Sequence, residues 1–170
     1  MKSFIIHTYL STLIGCLLIV SCAQIQQYTQ KPVTSAYQLS GLPRNVVDVE
    51  VSDLRPDTPK SDALKDVLKG QLLSALSAQP SLLTDKDYQL SVDVIEHRSF
   101  FTLGNWNAST RFRVKLLDSK GTLVGQWDAL GTAHRSNMWG YATAEAVSQD
   151  SYNIAVADMM SSLAQVSVRE

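Results

Sequence analysis

Few side chains in this sequence combine a reactive type with a useful neighbour. The sulfur candidates are Cys16 and Cys22, and the histidines beyond the apolar start are His97 and His134. Chemistry would need them in company: HxxxH, HExxH or CxxC for a metal, GxSxG for a serine nucleophile, GxGxxG or GxxxxGK[ST] for a nucleotide. None of these strings occurs. His97 follows Glu96 in a strand-like stretch, so the two side chains point to opposite faces. The chain therefore reads as non-catalytic, with no metal and no cofactor expected. Its 15 basic and 16 acidic residues leave a net charge of −1, too weak a field to hold nucleic acid by counterion release.

Cys22 differs from the other candidates in its surroundings. A short positive start, Met1-Lys2, precedes residues 4–20, which are mostly Ile, Leu and Val, and Ser21-Cys22 closes the run with small residues. That is an export signal rather than a spanning helix, and no second apolar run of about 18 residues follows. Cys16 would leave with the signal, so Cys22 would have no disulfide partner. Ile19-Val20-Ser21-Cys22 resembles the bacterial lipobox. The resemblance implies cleavage before Cys22 and acylation of its thiol and new amino group, with palmitate among the chains. Two or more chains hold a protein stably, at ~0.8 kcal/mol per buried methylene. Ala23, not Asp, follows the cysteine, which by similarity to enterobacterial sorting implies the periplasmic face of the outer membrane. The alternative is an ordinary secretory signal with a chance cysteine.

Two further groups could bind. Arg111, Arg113 and Lys115 share one face of a strand and could grip phosphates of a lipid or polymer, since guanidinium forks suit them. They could equally form a solvated face balanced by acids such as Asp128. Phe100, Phe101 and Trp106 in SFFTLGNWN, with Trp139 and Tyr141 in SNMWGY, crowd segments rich in turn residues. They serve either as anchors of a partner interface or as plugs for the ends of a small core.

The elements that position these residues follow from periodicity. Residues 1–21 are the signal, and residues 22–44 the lipidated cysteine and a flexible tether, interrupted by Pro32 and Pro43 and spanning roughly 25 Å. Residues 45–170 form one domain, and 45% hydrophobic composition is ample for a core. Val47, Val49 and Val51 alternate with Asp48 and Glu50 as a half-buried strand. A helix capped by Asp57 or Thr58 follows, with Leu64, Val67, Leu68, Leu72, Ala75 and Leu76 as its stripe, ending at Pro80. Tyr88, Leu90, Val92 and Val94 mark a second strand whose phase slips after Ile95, the sign of a bulge. A hairpin turns at Asp118-Ser119-Lys120-Gly121, with Leu117 expected opposite Thr122, Phe112 opposite Trp127, Arg113 opposite Gln126 and Arg111 opposite Asp128. After a loop, HRSNMWGY, a last helix spans about residues 143–166, one face carrying Val147, Ser151, Ile154, Met159 and Leu163. The order strand, helix, three strands, helix predicts an α+β two-layer sandwich, a mostly antiparallel sheet with both helices on one face.

The lipobox, the polar tether, VEVSDLRP, LKDVLKGQLLSAL, LSVDVIE and the late IAVADMMSSLAQ together resemble the YajG-like family of small bacterial envelope lipoproteins. Other small envelope lipoproteins that support outer-membrane machines share this order of elements. The resemblance implies a fold and an address, and brings no established chemistry. The expected function is that of an outer-membrane-anchored lipoprotein, joined to the membrane by lipid on Cys22, whose domain binds another envelope component, a protein partner foremost. The alternative is a carrier holding a lipid, glycan or peptide between sheet and helices. A third reading is an envelope hydrolase with an unrecognised site.

Overall fold

The alternating stretches pair into one sheet. The computed structural model describes residues 24–26, 46–56, 63–77 and 87–168. The expected signal, Cys22, most of the expected tether, and the expected cap and stop of the first helix lie outside the described residues. The elements are β1 (Gln24–Gln26), β2 (Val46–Asp53), α1 (Leu64–Ser77), β3 (Tyr88–Thr102), β4 (Asn105–Asp118), β5 (Leu123–Ser136) and α2 (Ala144–Val168). β4 and β5 follow β3 as antiparallel neighbours. On the other side of β3 lie β2, parallel to its first half, and β1, antiparallel to its last residues. Both helices cover one face, so the fold is the expected α+β sandwich, with β2–α1–β3 supplying a parallel pair. Three residues assigned by sequence to the tether, Gln24–Gln26, are strand.

Helix α1 buries Leu64, Leu68, Leu72 and Ala75, a stripe at one-turn spacing, and leaves Gly70 in solvent. Each buried leucine contributes about 1.5–3 kcal/mol before entropy is charged against it. Helix α2 begins where the Thr143 hydroxyl accepts from the Ala146 amide at 3.1 Å, an N-cap. Its buried face is Val147, Ser151, Tyr152, Ala155, Val156, Met159 and Leu163, whereas Ile154, expected to face inward, is exposed. The phase is set by close approach: Ser151 and Ala155 press their backbone onto Gly131 of β5, which turns Ile154 outward. Small residues, not the largest apolar ones, choose the face here.

Two bulges explain where the alternation breaks. One between Val46 and Asp48 buries Val46 and exposes Val47, the reverse of the expected start of that strand. The other, at Ile95 as expected, switches the covered positions of β3 from Leu90, Val92 and Val94 to His97 and Ser99.

The β4–β5 turn is the one expected. The Asp118 amide donates to the Thr122 carbonyl, the Gly121 amide to the Asp118 carbonyl, both at 2.9 Å, and Gly121 has φ 77°. The expected register is nevertheless corrected. Leu117 pairs with Leu123, Val124 is bulged out, and beyond it Arg113 faces Asp128, Arg111 faces Leu130, Phe112 faces Ala129 and Val114 faces Trp127. The offset is two residues, so every side chain keeps its face while its partner changes. A second correction concerns SFFTLGNWN. It is no loop, because β3 and β4 are joined by the two residues Leu103 and Gly104, with φ 48° and 77°. Both central residues in the left-handed region make the tight hairpin turn that ordinarily uses Asn-Gly.

Candidate functional site: a charged open face and an apolar tip

The face of the sheet away from the helices carries the cation row, as expected, but each cation already has a carboxylate. Arg111 donates to Glu96 at 2.8 Å, Lys115 to Asp93 at 2.8 Å, and Arg113 to Asp128 at 3.3 Å. Arg98 adds a second guanidinium to Glu96 at 2.8 Å. The row is thus a balanced, half-buried face rather than an array of open phosphate forks. Asp93 is the most buried of the acids, with its carboxylate beside Lys115. Desolvation raises the pKa of Glu96, but the hydrogen bond from Arg111, the charge of Arg98 and a hydrogen bond from Ser109 outweigh it and hold the carboxyl below its ordinary value. A depressed folded-state pKa stabilises the fold above the unfolded value and is lost as pH falls through the folded one. Replacing Glu96→Gln is therefore expected to flatten the loss of thermal stability below about pH 4.5, as followed by circular dichroism.

Beneath α2 the same strands hold a buried polar chain. Ser151 donates to the Ser148 carbonyl, Thr110 contacts Ser151, and His97 Nδ1 contacts Thr110, each at 2.8 Å. Since the Ser151 proton is directed at Ser148, Thr110 must donate to Ser151, and His97 must donate from Nδ1. His97, singled out by sequence, thus belongs to a link that pins α2 to the sheet. Glu96 lies on the opposite face, as expected.

The five aromatic residues do not form one group. Phe101 and Trp106 face each other across β3 and β4, ring centres 5.2 Å apart and edge to face, both half-buried. Phe100 lies on the opposite face, paired with Asn107. Trp139 and Tyr141 stand in solvent, 82% and 90% exposed, so neither plugs the core. Beside them are two residues that the sequence reading passed over, Met138 at 81% and Leu103 at 86% exposure. The Asn137 amide donates to the Gly104 carbonyl at 2.8 Å, which ties the loop after β5 to the β3–β4 turn. Four apolar side chains therefore project from one end of the domain. The available signal was charge: residues 99–110 and 136–144 contain no Asp, Glu, Lys or Arg.

Space and edges are placed elsewhere. The layer between sheet and helices is filled by Leu68, Leu72, Leu90, Val92, Phe112 and their neighbours. An open groove of about 420 Å³ lies at the edge of that layer, between Val124 and Trp127 of β5 and Gln165 and Val166 of α2. The outer edge of β5 is blocked midway, where Asp158 of α2 accepts from the Leu130 amide at 3.0 Å. A carboxylate on an edge amide discourages strand addition there.

No family profile matches the sequence, and no curated protein matches it. Among solved structures, the chain is similar to a Xanthomonas campestris protein of the family DUF330. The TM-score is 0.51 and identity 16%, over 83% of this chain and 95% of that one. It also aligns with a Caulobacter crescentus protein described as a candidate lipoprotein, at TM-score 0.45 and 16% identity, over 74% of this chain and 89% of that one. What this chain shares with the Xanthomonas protein is its fold.

Proposed function

We propose that this chain is a YajG-like lipoprotein of the outer membrane, held on the periplasmic face through lipid on Cys22, and that its non-catalytic domain binds another envelope component through the apolar tip. The observation that carries the reading is the exposure of Trp139 and Tyr141 beside Met138 and Leu103, on a domain whose core is already filled. Large apolar side chains gathered at one exposed end mark an interaction surface. The balanced open face and the buried His97 link support the non-catalytic part, because the Arg111 and Lys115 cations meet carboxylates and His97 Nδ1 meets Thr110. Function would then be localisation: anchoring concentrates the tip in two dimensions and limits what it meets.

A photocrosslinking residue placed at position 139 in living cells tests this. Adducts are expected at 139 and not at 119, in the turn at the other end of β4, and they should vanish in Cys22→Ser. Equal adducts at 139 and 119, or none at 139, would contradict the reading. The carrier alternative rests on the groove beside Trp127, whose buried indole Nε1 has no hydrogen bond among the described residues.

A further inference from the structure

β1 starts at the end of the sheet that carries the tip. β1 runs antiparallel to β3, with Gln24 opposite Phe101 and Gln26 opposite Ser99, so the start of β1 points toward the β3–β4 turn. Cys22 precedes Gln24 by two residues, a covalent span of at most ~7 Å. Leu103 lies two residues beyond Phe101 in the same direction. A lipid on Cys22 thus enters the membrane beside the turn, whatever the later residues 27–45 do.

We infer that the component bound by the tip is the bilayer surface that holds the anchor, with Leu103, Met138, Trp139 and Tyr141 set into its headgroup region. The inference rests on the proposed reading and names its ligand class. Trp and Tyr favour that region, where an apolar ring and a polar handle are both satisfied. The absence of charge from residues 99–110 and 136–144 means that burying the tip desolvates no ion. Leucine in a left-handed turn, φ 48°, costs about 1–2 kcal/mol that Gly would avoid, yet it is the residue at the apex. An anchor ~7 Å from Gln24 also leaves little room for a protein between the tip and the lipid. The domain then lies against the membrane instead of standing off on a long tether.

The test uses the full acylated chain in vesicles of phosphatidylethanolamine and phosphatidylglycerol, with bromine on the lipid acyl chains as quencher. Of the three tryptophans only Trp139 is exposed, so its emission is expected to carry most of the quenching. Trp139→Phe should remove most of that quenching. Leu103→Asn should weaken it while raising the melting temperature, a combination that a purely structural role for Leu103 does not produce. Quenching that is absent, or unchanged in Trp139→Phe, overturns the inference. If position 139 then crosslinks to a protein in cells, the binding role survives with a protein ligand. If it crosslinks to nothing, the binding role fails as well.

Discussion

Gly131→Ala is expected to destabilise the domain by at least about 3 kcal/mol, or to prevent folding. A methyl group at position 131 would overlap the Ser151 carbonyl oxygen and stand 2.5 Å from the Ala155 nitrogen. Both are helix backbone, so no change of rotamer relieves the clash. Helix α2 would have to lift from β5, parting Ser151 from Thr110 and Tyr152 from Phe112. For a domain of this size the melting temperature should fall by roughly 10 °C or more. Gly125→Ala is the control on the same strand. Its methyl would meet Trp127 only at 3.8 Å, an ordinary contact, so stability should change by about 0.5 kcal/mol or less. Equal behaviour of the two variants would mean that α2 does not sit on β5 as described.

Phe112→Ala is expected to cost about 3–5 kcal/mol in urea unfolding. Phe112 is wholly buried on β4, between Val94 of β3 and Ala129 of β5. Its ring meets Tyr152 edge to face, with centroids 5.9 Å apart, and the Tyr152 hydroxyl donates to Gln71 of α1 at 2.5 Å. Burial pushes the Tyr152 hydroxyl pKa upward, so it remains a donor across the working pH range. One aromatic stack thereby joins the sheet to α2 and, through Gln71, to α1. Removing the ring leaves a cavity flanked by three strands and a helix that have little freedom to collapse. A loss below about 1 kcal/mol would show that the site closes around the gap.

The parts legible in the sequence share a physical character. Alternation of Leu90, Val92 and Val94, the i, i+4 stripe of Leu64, Leu68 and Leu72, and the Asp118-Gly121 turn are local patterns with strong preferences. Each element appears where periodicity places it. Errors begin where a nonlocal contact or an uncommon residue decides. The Leu103-Gly104 turn lacks the Asn that usually signals left-handed backbone, so two paired strands read as an aromatic loop. The Leu117–Leu123 closing pair and the bulge at Val124 each add one residue, so the β4–β5 pairs beyond the bulge move by two without disturbing the faces that alternation reports. Periodicity within α2 does not bury Tyr152 or expose Ile154, because the α2 phase depends on a glycine in another strand. Of the site, Trp139 and Tyr141 were visible by type and location. Their grouping with Leu103 needed the Asn137–Gly104 hydrogen bond, which joins segments more than thirty residues apart.

The cation row shows the opposite case. Arg111, Arg113 and Lys115 were placed on the open face by counting, yet their chemistry depends on Glu96 and Asp93 from β3. Asp128, expected opposite Arg111, bonds Arg113 instead, as the corrected register requires. A charge pattern along one strand cannot disclose which carboxylates the next strand supplies.

Anchoring is the claim on which the functional reading depends, since both the two-dimensional confinement and the membrane-facing tip require lipid on Cys22. Intact-mass spectrometry of the protein extracted from cell membranes tests it most directly. The expected species is a chain that begins at Cys22 and carries acyl groups, with Cys22→Ser absent from the membrane fraction. A mature chain cleaved elsewhere, or one starting at Cys22 without acyl mass, would contradict it.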